Sequence, residues 1–565
     1  MSKDERYDVV IVGGGPNGIT SAAYLAKSGL SVCVLEERPE LLGGCENVEV
    51  VPGVRIDPHM TFMYAGAAPG FEQLELWKYG FRMAWHQVQP DGTPAAVIWT
   101  SDGPVTPTLK DLAGSLRLQA AHPDNTYWKD LMRAVYWCPP HPPEVEITAD
   151  NVPWMQAVKQ NDPEMYTEEL LEMSQFDLMD EYMETEAYKV SQGIIAWYSG
   201  ASPEWQGVGI PAFAGAANFS VATGLSVSRG GMHTYGHAVV RCALAHGAVM
   251  RTSCPVEEII IREGRAVGVR LRDDAAFAEK TIWANKAVLA NVEIKHLFLD
   301  LIGPKHVDVG FTQRIRDISL KGSSIYVSHF LLSKPPRVRP EFKPPEQGDS
   351  RLFFGGCGPC DSRELYFEHI MDINGRKSFP SMPPEKVPWI MVPHEEDDSR
   401  VRRPNSYLLS PFYVIVPAPE YFVDGPDAMH KEKGKWDTYM RKALGTVVEN
   451  LEDDLIGQWS NPPWESEHRN WGLLGGGWYT TRHCSDQWFE NRPLPELSRY
   501  RVPSVDGLYL CHQSSGHPGG LFLMAIPYNL MHILIEDGIA EPGDWWYPSP
   551  WYIPQEGKIP AIPRT

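Results

Sequence analysis

Tyr7-Asp-Val-Val-Ile-Val-Gly13-Gly-Gly15-Pro-Asn-Gly18, followed by Glu36, is the stretch on which the reading of this chain turns. Residues 7–12 form a short, almost wholly apolar, β-branched run, the pattern of a buried parallel strand. Gly13, Gly15 and Gly18 satisfy G-x-G-x-x-G. In that pattern the first glycine lets the chain turn sharply, the second lets the backbone approach a pyrophosphate, and the third lets the helix pack on the strand. The spacing predicts a helix from about Pro16, its free N–H groups facing the phosphates, with Gly29 as its stop. Residues 30–35 read as a second strand ending at Glu36, which is placed to accept hydrogen bonds from ribose hydroxyls. A lone glycine pattern is weak evidence. Strand, helix and acid in this order supply the context that turns it into a dinucleotide-binding signature rather than a glycine-rich turn.

Working outward, 565 residues exceed what one hydrophobic core usually holds, so two domains are expected. The net charge of −21 disfavours nucleic acid or an anionic membrane as the main partner. The first six residues carry no apolar signal core, which points away from secretion. No apolar run reaches the ~18 residues of a membrane-spanning helix. Peripheral membrane contact stays open. Nine scattered cysteines fit reduced thiols in a cytoplasm better than a disulfide framework.

After Glu36 come Glu37, Arg38, the pair Gly43-Gly44 with Cys45, and Asp57-Pro-His59. Together with the glycine loop these resemble the amino half of the phytoene-desaturase-like flavoproteins, within the amine-oxidase-like superfamily. The resemblance implies FAD as cofactor. Gly13, Gly15, Pro16, Asn17, Gly18 and Glu36 would hold its ADP part with Glu37 and Arg38, while Gly43, Gly44 and Cys45 would run beside it. It also implies that the residue at Val256 contacts adenine through its backbone, and that residues 286–291, ending at Asn291, lead out to a substrate domain.

Dinucleotide-domain character returns after Ser228-Arg-Gly230-Gly231 with a helix to about residue 247, a strand at 248–252 and a hairpin over 255–271. The expected fold is therefore α/β. A Rossmann-like FAD-binding domain is assembled from 1–75, 225–300 and 475–542, and a mixed α+β substrate domain from 76–224 and 301–474. In the latter, Met165, Met173, Met179 and Met183 read as helix core rather than as an adaptable pocket. His394-Glu-Glu-Asp-Asp398 reads as an acidic surface loop, and no metal site is expected. Cys357-Gly-Pro-Cys360 has the spacing of a redox pair, but no βαβ unit frames it, so two packed thiols are the default.

The second strong signal is the strand at 507–511 feeding His512-Gln-Ser-Ser-Gly516-His517-Pro518-Gly519-Gly520 and an apolar helix. This resembles the same family's closing flavin motif and implies that Gly519, Gly520 and Leu521 lie beside the flavin. A helix N-terminus there would stabilise the negative charge of the reduced ring. The loop is one residue longer than the family's, and Leu521-Phe522-Leu523-Met524 is bulkier than its usual glycine-rich helix start. The tail at 543–565, rich in Trp and Pro, reads as packed on the body.

The expected activity is dehydrogenation of an apolar or aromatic small organic molecule by hydride transfer to the flavin. His517, His59 and Tyr528 are the candidate catalytic residues. No second complete glycine motif follows a strand, which favours oxygen or a quinone over a nicotinamide as electron acceptor. The residues leave open a redox-neutral isomerase or saturase using reduced flavin, and a non-catalytic binding protein of the Rab-escort kind. They say nothing of oligomeric state.

Overall fold

The computed structural model describes residues 5–555 apart from 61–62, 65, 86–96, 122–125, 199, 217–224, 321–323, 344–355, 375–378, 393–398, 417–418, 420–421, 478, 482–484 and 520–521. The loop at 394–398, Gly520 and Leu521 lie outside the described residues.

The first sheet is built on Glu5–Val12, whose buried carboxyl half, Val9 to Val12, is apolar on both faces as a central parallel strand requires. Val32–Leu35 pairs parallel on one side and Thr281–Ala290 on the other. Val249–Arg251 extends the sheet beyond the former, and Leu508–Leu510 pairs parallel with the latter. An antiparallel hairpin, Val256–Arg262 and Arg265–Leu271, completes seven strands among the described residues. One sheet thus gathers strands from both ends of the chain. The register is what positions the site. Val12 lies opposite Leu35 and Ala290, and Ala290 opposite Leu510. The four carboxyl ends are therefore flush, and the residues that follow them, Gly13, Glu36, Asn291 and Cys511, stand side by side at the edge where parallel sheets bind ligands.

The helix predicted from the glycine motif runs Pro16–Lys27. It ends as expected at Gly29, with φ +85°, where Gly29 N–H donates to the Ala26 carbonyl at 2.9 Å and Leu30 N–H to that of Leu25 at 3.2 Å. It packs against Met232–Ala245 and Ala525–Glu536, which cover the same face of the sheet.

A second mixed sheet runs in the order Leu455–Asn461, Ser324–Leu332, Tyr407–Val416, Trp389–Val392, Gly356–Gly358, Val97–Thr100, Gly103–Pro104. It carries its own apolar cluster around Trp99, Trp389, Trp436 and Tyr413. Met165, Met179 and Met183 are buried in the larger cluster of the first sheet and its helices, Met179 on the Gln175–Tyr182 helix and the other two in the loops beside it. Cys360 is buried. Two contacts tie residues 57–58, next to His59, to the part of the chain that carries the second sheet. Asp57 and Arg400 form a fully buried ion pair. Asn461, the last residue of its strand, donates from Nδ2 to the Pro58 carbonyl at 3.1 Å. The tail lies on the body: Trp545 stacks on Tyr24 with ring centres 6.1 Å apart, and Trp546 packs against Tyr24 and Tyr528.

Candidate functional site

A cavity of about 590 Å³ opens along the flush strand ends, within the range of small-molecule and cofactor sites. Each wall is set by local chemistry. Gly13 turns at φ +96°, and a Cβ there would sit 2.3 Å from the Asn291 carbonyl oxygen. A side chain is excluded on both counts. Asn291 holds the turn from the other side: its N–H donates to the Val12 carbonyl at 2.8 Å and its Nδ2 to that of Gly13 at 3.0 Å. At Gly18 a Cβ would meet the Gly13 oxygen at 2.2 Å, so helix and strand approach as closely as only glycine allows. Gly15, Pro16 and Asn17 then line the cavity, presenting the start of a twelve-residue helix with free N–H groups.

Glu36 faces the same space. Its Oε2 accepts from Gly14 N–H at 2.7 Å and its Oε1 from Arg38 N–H at 2.9 Å, which fixes the carboxylate beside the glycine loop. Burial raises its pKa, and these two N–H groups offset part of that rise. Glu37, Arg38 and Val256 line the cavity nearby. Gly43 and Gly44 form a lip beside the glycine loop, a Cβ on Gly43 falling 3.3 Å from Gly15 Cα. A Cβ on Gly44 would meet nothing within 4 Å, so this backbone is bare towards the cavity. Cys45 is buried behind them and does not line it.

Of the three candidate catalytic residues, His59 alone lines the cavity. Its Nε2 lies 3.0 Å from Glu46 Oε1 and its Nδ1 3.1 Å from Asn461 Nδ2. Burial lowers the His59 pKa despite Glu46. Burial also works to raise the Glu46 carboxyl, but His59 and Arg469 bring it down to about 2. The result is a buried charge cluster that joins the glycine lip to the Pro463–Arg469 helix.

His517 stands behind the wall, not in it. Its Nδ1 accepts from Phe489 N–H at 3.2 Å, its Nε2 lies 2.7 Å from the Val135 carbonyl oxygen, and burial takes its pKa down to about 4. It tethers its loop through the backbone. Gly519 packs on Tyr479 and does not line the cavity, and Tyr528 Oη donates to the Tyr547 carbonyl at 3.1 Å from the middle of a buried helix. The carboxy-terminal loop reaches the cavity instead through His512, Gln513 and Leu523. His512 Nδ1 accepts from Ser514 N–H at 3.1 Å, and burial, with the Arg492 charge, takes its pKa down to about 3. The buried Arg492 guanidinium donates to the carbonyls of Gln513 at 2.6 Å and Gly516 at 2.9 Å, which sets the loop's path.

Two further walls were not anticipated. Residues 470–474 face the cavity, tied to the loop by Gln513 Nε2 donating to the Gly472 carbonyl at 3.1 Å. Residues 292–301 supply Glu293, Lys295 and Leu299. The glycine run Gly475-Gly476-Gly477 was the available sequence signal for the first, and the position of Glu293 two residues past Asn291 for the second. Among the described residues, no group of three or more His, Cys, Asp or Glu could hold a metal, and no helix is long and apolar enough to cross a membrane.

Comparison with known proteins agrees with this geometry. Residues 11–74 match the NAD(P)-binding Rossmann-like domain family. Over 94% of both chains, this one is 24% identical to rat pyridine nucleotide-disulfide oxidoreductase domain-containing protein 2. It is 23% identical over 97% of both to a limonene dehydrogenase subunit of Castellaniella defragrans. A solved structure of a putrescine oxidase variant superposes with a TM-score of 0.57 at 15% identity, covering 94% of this chain and 98% of that one. Cyclohexylamine oxidase from Brevibacterium oxydans gives 0.54 at 13%, covering 94% and 97%. This chain has the flavin amine oxidase-like fold. The cavity lies along the strand ends, and the discontinuous sheet is how both ends of the chain reach it.

Proposed function

We propose that this protein is an oxidoreductase that binds FAD and uses it to dehydrogenate an apolar or aromatic small organic molecule. The observation that carries the reading is the single cavity that has a glycine-opened helix start and Glu36 at one end and His512, Gln513 and Leu523 of the carboxy-terminal loop at the other. The residues present fit the group. The helix start suits a pyrophosphate, Glu36 suits ribose hydroxyls, and the bare backbone of Gly44 leaves room for a ligand pressed against it. Val256, Asn291 and Arg38 complete the set of residues proposed to hold it.

FAD, when bound, supplies a hydride acceptor, and the protein's part is placement and electrostatics. His59 and His512 are neutral, buried and engaged at Nδ1. They orient the walls rather than acting as a base. Of the two hydrogens lost, one passes as hydride to FAD and the other leaves as a proton to solvent. The name of the limonene dehydrogenase relative supports an apolar substrate. Oxygen or a quinone is the proposed acceptor.

The test is anaerobic addition of candidate apolar and aromatic substrates to the flavin-loaded protein. Bleaching of the flavin, with a product two hydrogens lighter, is expected. A product of unchanged mass would show an isomerase, a gain of two hydrogens a saturase, and rapid bleaching by NADPH would overturn the choice of acceptor.

A further inference from the structure

Resting on the FAD reading above, we propose that the Glu293 carboxylate is a binding residue for the hydroxyls of the sugar-alcohol chain that joins the phosphates of the cofactor to its flavin ring. Glu293 lines the cavity and is 5% exposed. Its Oε2 accepts from Lys295 N–H at 2.8 Å and His296 N–H at 3.1 Å, capping the short turn that follows. Its Oε1 is buried and has no hydrogen-bond partner among the described residues. A carboxylate oxygen withdrawn from water and left without a donor is unfavourable, and a ligand that brings a donor relieves it.

Position selects the donor. Glu293 is two residues beyond Asn291, which clamps the Gly13 turn. On its other side, Ile294 N–H donates to Ser514 Oγ at 2.9 Å, and that hydroxyl lies 2.8 Å from His512 Nδ1. The carboxylate therefore stands between the helix start proposed for the phosphates and the loop proposed for the ring. A phosphate would be repelled by it. A flavin ring offers one N–H donor, on its outer edge. The chain between them carries hydroxyls, which are the donors an acceptor-only group needs.

The test separates FAD from ADP, which shares adenine, ribose and both phosphates but lacks the sugar-alcohol chain and the ring. Each is titrated by calorimetry into apoprotein of the wild type and of Glu293→Ala. Weakening of FAD by about ten-fold is expected, with ADP held within about two-fold. Equal weakening of both would mark Glu293 as a cap alone and overturn the proposal, as would no weakening of either. Glu293→Gln keeps an oxygen for the cap and guards against misfolding. It is expected to melt with the wild type while binding FAD selectively, about three-fold, more weakly. A folded Gln variant with unchanged FAD affinity would overturn the proposal. Wild type that binds neither FAD nor ADP would instead bring down the dinucleotide reading on which the proposal rests.

Discussion

Gly18→Ala probes the glycine loop most sharply. The added Cβ would lie 2.2 Å from the Gly13 carbonyl oxygen and 2.7 Å from Asn291 Nδ2. Gly13 O is backbone, so no rotamer change relieves the clash. The helix start must move away from the strand by about an ångström or more to restore ordinary contact. Forced overpacking of this kind costs about 1–3 kcal/mol. The N–H groups that would face the phosphates move with the helix, so much of that cost falls on binding, and FAD affinity drops roughly 5- to 140-fold. The contrast is Gly44→Ala, whose Cβ meets no protein atom within 4 Å. Its ligand-free stability is expected to stay within about 0.5 kcal/mol of wild type, while FAD affinity falls because the methyl occupies ligand space. Calorimetric titration of FAD into apoprotein, with thermal melting of the same samples, reads both effects. Gly18→Ala with wild-type stability and affinity would refute the close packing argued here. Gly44→Ala with unchanged FAD affinity would show that the lip does not touch the ligand.

Glu36→Ala removes the carboxylate proposed to accept from the ribose hydroxyls; at about 1.5–3 kcal/mol for a hydrogen bond to a charged group, FAD affinity measured by calorimetry should fall at least ten-fold. Acid should destabilise the protein through its buried imidazoles, because burial takes His512, His532 and His329 down to about 3 and His517 to about 4. Below the unfolded value of about 6.5 the unfolded chain binds more protons, so this stability is complete above about pH 6.5 and declines towards pH 4, by about 2 kcal/mol per imidazole at pH 5. Melting temperature against pH checks the sign, and a protein equally stable at both ends of that window would contradict it. Asp57→Asn removes the carboxylate charge from the fully buried pair with Arg400 and should cost a few kcal/mol in denaturant unfolding, about 3 by the usual cost of breaking a buried pair.

What could be read locally was legible. The first strand, the glycine turn, the helix with its Gly29 stop and the acid at Glu36 are set by residues within about thirty positions of one another, and all appear where the spacing puts them. Val256 and Asn291 reach the cavity because each sits at the end of a strand in the same sheet. The rest depends on tertiary register. Residues 470–474 become a wall only because Gln513 binds Gly472, and Glu293 only because residues 288–290 pair with 508–510. His517 looked like chemistry in the sequence because its motif is rich in glycine and a ring nitrogen is reactive. Its partners, Phe489 and Val135, are 28 and 382 residues away, so nothing local could show that both nitrogens were taken. The aromatic tail was legible as packed, but the surface it covers, Tyr24 and Tyr528, was not.

The most direct test is mass spectrometry and absorbance of the small molecule released when the purified protein is denatured. FAD at one molecule per chain, with its visible absorbance lost from the protein on release, is expected. A colourless protein that also fails to take up added FAD, or one that releases a nicotinamide dinucleotide in its place, would contradict the account.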